Sequence, residues 1–141
     1  MSATAPLLLG DEDLAEPAKR KRRTRKAAPA ASEAQIQRAI IDAMRWRGVL
    51  AVHVPNAGKR SAVAGRRLKG EGMRPGFPDL LLYAHGVHAL IEVKRPGYRP
   101  SDVSDAQREM HATLTEHGAR VTVVDSVDAA LAFARAAGMV R

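Results

Sequence analysis

One stretch constrains this chain more than any other: DLLLYA, from Asp79, is followed after His85-Gly86 by HALIEVK, from His88. Two apolar runs rich in β-formers and joined at a glycine predict a hairpin of two antiparallel strands. A turn centred at or just past the His85-Gly86 bond places Asp79 opposite Glu92 or one residue away. Alternation along the second strand sets Glu92 and Lys94 on one face and Ala89, Ile91 and Val93 on the other. Two carboxylates and an ammonium are therefore expected at one end of a sheet.

That grouping implies chemistry. Adjacent carboxylates repel and raise a pKa unless a cation lies between them, and oxygen ligands in this number suit a hard ion, Mg²⁺ or Mn²⁺. Such an ion activates water and neutralises charge on a phosphodiester, with Lys94 orienting the nucleophile or stabilising the phosphorane. The plainer readings are a turn residue after Pro78 for Asp79 and a solvated edge-strand pair for Glu92 and Lys94. The shared register, with the charge pattern below, favours a site for metal-assisted phosphodiester hydrolysis.

Regular elements flank the hairpin. Ser32-Glu33-Ala34-Gln35 has the form of a capping box, and Ile36, Ile40 and Met44 follow at helical spacing until Gly48. VLAVHV, from Val49, reads as a strand. Ser104-Asp105-Ala106-Gln107 opens a second helix, with apolar Met110 and Leu114, ending at Gly118. RVTVVD reads as a strand, and Ser126 caps an Ala-rich last helix to Gly138. The order is αβββαβα without repeats, an α/β chain with a mixed sheet flanked by helices.

The chain has 141 residues, enough for one ordinary core, and no Cys, which excludes a disulfide scaffold and a thiolate zinc site and suits a reducing cytoplasm. The run Leu7-Leu8-Leu9 is too short for a signal peptide, and no run reaches a membrane span, so no membrane partner is expected. With 23 Lys plus Arg against 15 Asp plus Glu, the net charge of +8 favours a polyanion, above all nucleic acid. The cations are concentrated twice. Residues 1–31 carry Lys19 to Arg23, Arg25 and Lys26 among Ala, Pro and Ser, and are expected to be a disordered arm before a domain at 32–141. The second concentration, Lys59, Arg60, Arg66, Arg67, Lys69 and Arg74, lies in a Gly-rich segment without periodicity, which reads as a long loop contacting DNA, with Asn56 before it and Arg95 and Arg99 beyond the hairpin. His53 reads as structural or a phosphate contact, and His85 and His88 as solvated. Trp46 and Tyr83 are too isolated for a base-stacking platform.

Pro78-Asp79 followed by Glu92-Val93-Lys94 resembles the PD-(D/E)xK nuclease signature, and the αβββαβ order is similar to the core of that superfamily, the restriction-endonuclease-like fold. Glu33, Asn56-Ala57-Gly58, Gly76-Phe77-Pro78-Asp79-Leu80, Glu92-Val93-Lys94 and Ser104 with Gln107 closely resemble the stand-alone VRR-NUC domains of phages and bacteria, over about residues 32–125. The resemblance implies metal ligation by Asp79, Glu92 and the Val93 carbonyl, a catalytic Lys94, and a place for Glu33 in the site, as ligand or catalytic group. Glu33 also suits a helix start, and Gln107, a candidate catalytic residue on the inward face one and two turns before Met110 and Leu114, is explained equally well by its capping box. The basic arm is no part of the family core. What the resemblance implies is a Mg²⁺- or Mn²⁺-dependent endonuclease selective for branched DNA such as four-way junctions, acting as a homodimer. The Ala-rich last helix and the back of the first strand are the candidate dimer contacts. A non-catalytic DNA-binding protein and a sequence-specific restriction-type enzyme are the alternatives.

Overall fold

The computed structural model describes residues 29–55 and 62–141. Expectations that fall on residues 1–28 and 56–61, the basic arm and Asn56, Lys59 and Arg60 among them, lie outside the described residues.

Both capping boxes form. Ser32 Oγ accepts the Gln35 amide at 3.2 Å while Gln35 Oε1 accepts the Ser32 amide at 2.8 Å, starting α1 (Glu33–Arg45). Burial of Ile36, Ile40 and Met44 along one stripe seats α1 on the sheet. β1 (Leu50–His53) follows, and then a departure from expectation: the basic segment is not all loop but contains α2 (Ala62–Gly70). Its sequence AVAGRRLKG is mostly Ala, Arg, Leu and Lys, good helix formers whose preference outweighs Gly65. None of its residues is buried, so it showed no apolar stripe to read.

The hairpin forms as expected between β2 (Leu80–Ala84) and β3 (Val87–Val93), with Leu80 opposite Ile91 and Ala84 opposite Val87. The two-residue turn takes φ +51° at His85 and +76° at Gly86, the positive pair that matches strand twist. A short 3₁₀ turn, Pro100–Asp102, which was not anticipated, leads to α3 (Asp105–Glu116), then β4 (Arg120–Val124) and α4 (Val127–Ala136). Sheet order is β1-β2-β3-β4, antiparallel except for β4, which runs parallel to β3 after the α3 crossover.

The result is a mixed four-stranded sheet with helices on both faces. α1 and α4 cover one face, where Leu80, Leu82, Ala89, Ile91 and Val93 join Ile40, Met44, Ala130 and Ala134 in the core. The opposite face, carrying Leu81, Leu90 and Glu92, is covered by α3 beside β4, from where Gln107 reaches Glu92 of β3. Among the described residues nothing covers its β1–β2 half, where Leu50, Val52 and Tyr83 are exposed. Among the described residues, no helix is long and apolar enough to cross a membrane.

Candidate active site

Because Leu80 pairs with Ile91, the next step along each strand brings Asp79 beside Glu92 on the face covered by α3. Asp79 sits between Pro78 and the strand, and its Oδ2 accepts the Val93 amide at 2.8 Å, so the hairpin backbone orients it. Glu92 is only 2% exposed, the one buried charged residue among those described. Lys94 Nζ lies 3.0 Å from Glu92 Oε1, and Gln107 Nε2 donates to the same oxygen. Lys94 also donates to Gln107 Oε1 at 3.1 Å, which accepts the Ser104 amide at 3.0 Å as well. The two readings of Gln107 are thus one arrangement: the residue that caps α3 also ties Lys94 to Glu92.

Close approach makes that tie possible. Gly76, at φ +79°, lies so near α3 that a Cβ there would meet the Ala106 carbonyl oxygen at 2.2 Å and the Gln107 amide nitrogen at 2.7 Å. The segment before Pro78 therefore seats the first turn of α3 against the end of the sheet. Glu33 approaches from the other side: its Oε1 accepts the Arg95 amide at 3.3 Å, and its charge raises the pKa of both Asp79 and Glu92.

Electrostatics follow from burial. Desolvation, then the neighbouring Asp79 carboxylate, pushes Glu92 up to about 7, although Lys94 pulls against both. Desolvation also raises Asp79, opposed by the Val93 amide, Lys94 and His53. Glu92 Oε2 is buried with no hydrogen-bond partner among the described residues. Among the described residues, no three His, Cys, Asp or Glu side chains form a closed metal cage. A pair of carboxylates with one orphaned oxygen fits instead the open coordination of a small hard cation, completed by backbone, water and substrate oxygens.

The other expected residues are placed as follows. Arg66, Arg67 and Lys69 lie on α2 and Arg74 follows it, all exposed, with Arg67 paired to Glu71 at 2.7 Å. Arg95 and Arg99 are exposed on the segment after β3, and only Arg95 is tied to the carboxylate cluster, through its backbone. His53 Nδ1 is 3.0 Å from Gln37 Nε2 and 3.1 Å from the Asp79 carbonyl, a structural position at the edge of the site. Gly76 was named in the family motif without a role, and Tyr98 and His111 of the site region escaped sequence reasoning. Gly76 shows its role only through contact, and Tyr98 lies just past the cluster. His111 could have been found: it sits one helical turn after Gln107, and its Nε2 is buried without a partner among the described residues. Burial, and Lys94 nearby, lower its pKa.

Comparison with known proteins identifies the family of the chain. The VRR-NUC domain model matches residues 31–128. The chain belongs to the VRR-NUC family. VRR-NUC is a family of nuclease domains that generally use divalent metal, so at family level this VRR-NUC domain is a nuclease and its substrate DNA. Two solved structures share its fold. One, a VRR_NUC domain protein, is 20% identical with a TM-score of 0.59, covering 78% of this chain and 90% of that one. The other, a VRR_NUC domain, is 24% identical with a TM-score of 0.52, covering 74% and 97%. No curated protein matches the chain.

Proposed function

We propose that this VRR-NUC domain is a Mg²⁺- or Mn²⁺-dependent DNA endonuclease that cuts branched DNA, four-way junctions included, as a homodimer. The convergence of Asp79, Glu92, Lys94 and Gln107 at one sheet end carries the reading. Asp79, Glu92 and the Val93 carbonyl hold the ion, with Glu33 beside them. The metal, when bound, supplies Lewis acidity toward the phosphodiester and its attacking water. Gln107 and Glu92 hold Lys94 Nζ at the cluster, where its charge opposes the negative charge that builds on the phosphate. Arg66, Arg67, Lys69 and Arg74, with Asn56, Lys59 and Arg60, bind the flanking phosphates.

Two symmetric cuts in a four-way junction require two sites related by a twofold axis. α4 does not suit the contact, since Ala130, Leu131, Ala134 and Ala137 are consumed by the core. The first strand does: Leu50 and Val52, with Tyr83 of β2, leave an apolar patch open at the sheet edge. Light scattering on the full chain and on a Leu50→Asp/Val52→Asp variant tests the assembly; a monomeric wild type removes the resolvase role and leaves the nuclease.

Cleavage of a panel of four-way, flap, nicked and linear DNAs, with Mg²⁺, Mn²⁺ or EDTA, tests the activity. Metal-dependent cutting of branched forms is expected. A fixed cleavage sequence would instead indicate a restriction-type enzyme, and binding without cutting a non-catalytic one.

A further inference from the structure

A cavity of about 750 Å³ opens directly off the carboxylate cluster, between the first turn of α1, the segment after β3 and the 3₁₀ turn. Glu33, Lys94, Arg95, Tyr98 and Asp102 line it, together with the exposed Ala31. The volume falls within the roughly 300–1,000 Å³ of clefts that hold small organic ligands. Its walls are fixed by the fold. The Gly97 amide donates to Asp125 Oδ2 at 3.0 Å, the Tyr98 amide to the Arg95 carbonyl at 3.2 Å, and the Tyr98 hydroxyl to the Val123 carbonyl at 3.4 Å.

The lining decides which part of a nucleotide fits. Glu33 and Asp102 in the lining are balanced by Lys94 and Arg95, and Lys94 is held at the carboxylate cluster by Glu92 and Gln107, so a phosphate is drawn to that end, beside the reacting centre, while further in it would meet a carboxylate. A base is different. It is uncharged, it can lie against Tyr98 and the apolar Ala and Pro wall, and its amino groups can donate to the carboxylates. We propose that this cavity receives the unstacked base of a nucleotide next to the scissile phosphate. The proposal rests on the nuclease reading of the adjacent carboxylates and deepens it by naming what the enzyme reads. Drawing a base out of a continuous duplex costs stacking and pairing, and the cost is least where the base is already unpaired. Selectivity for branched DNA then comes from the ease of filling the cavity, without sequence readout. A single ring beside the reacting centre suffices, so the lack of interleaved aromatics is no obstacle.

The test uses the full chain. 5-Iodouracil is placed at each of the two nucleotides flanking the mapped cut in a branched DNA, bound to the Asp79→Asn variant with Mg²⁺ and irradiated. Mass spectrometry is expected to find the adduct on Tyr98 for one of the two positions. In parallel, Ala31→Trp adds bulk at an exposed lining residue without touching the core. It is expected to slow cutting of branched DNA at least ten-fold while calorimetric Mn²⁺ binding stays as in wild type. Adducts elsewhere or none at Tyr98, or wild-type cutting by Ala31→Trp, overturn the cavity proposal. A wild type that cuts no DNA with any divalent metal overturns the nuclease reading and this proposal with it, a different result from normal cutting without a Tyr98 adduct.

Discussion

On the sheet face beneath α1 and α4, Leu80, Leu82, Ala89 and Ile91 have no exposed surface, whereas on the opposite face α3 itself has no buried residue. β3 serves both. Its odd-numbered residues enter the sealed core, and on the other side Glu92 is buried with Asp79 next to it and one oxygen unpartnered. The sealed face follows the ordinary logic of apolar burial. The site face does the reverse: it keeps like charges close and partly desolvated, a cost that a bound cation removes. Substitutions on the two faces should therefore change stability with opposite signs.

The largest expected effect is on chemistry. Asp79→Asn or Glu92→Gln should lower cleavage by on the order of 10³-fold or more, with the fold and most DNA binding retained. Full Mg²⁺-dependent activity in either variant removes these residues from the site. Glu92→Gln also sharpens the comparison through pH. A carboxyl raised to about 7 in the folded chain, against an ordinary 4.5, adds stability that is complete below about 4.5 and lost as pH rises through about 7. In EDTA, wild type should lose stability between pH 5 and 8 relative to Glu92→Gln, so that the variant is the more stable at pH 8. Denaturant midpoints of both proteins at the two pH values check it; parallel curves would break the comparison.

On the sealed face, Leu82→Ala should cost about 2–5 kcal/mol in urea unfolding, with cleavage per folded molecule preserved under stabilising conditions. A smaller effect on rate is expected from Lys94→Ala. The ammonium is tied to Glu92 and Gln107, so cleavage should fall by roughly 10²-fold while metal affinity changes far less. Calorimetry showing metal binding lost would give Lys94 a structural role instead. The smallest effect concerns neither face. Deleting residues 1–31 should leave the rate on saturating DNA unchanged but weaken binding and flatten its salt dependence, by at most about 6 in slope for seven cations. An unchanged slope would show that the arm is off the DNA.

Several features were legible because they are local. The capping boxes at Ser32 and Ser104 act over three residues, and the hairpin register follows from a two-residue turn and side-chain alternation. α2 was not legible, since a helix that buries nothing shows no apolar period and glycines at 65 and 70 mimic a loop. The site divides along the same line. Asp79, Glu92 and Lys94 belong to one hairpin, so a register argument reaches them. Gln107 is 15 residues from Glu92, and its second role depends on where α3 lands.

The sequence by itself determined the α/β order, the pairing that sets Asp79 beside Glu92, and the positive charge that suits DNA, because each depends on turn chemistry, strand period or composition alone. Only tertiary structure decided that Glu92 is buried, that Gly76 lets α3 come close enough for Gln107 to bind both Glu92 and Lys94, and that Tyr98 walls a cavity beside Glu33. Desolvation and close packing arise between elements far apart in the chain, and no local pattern encodes the distance at which they meet.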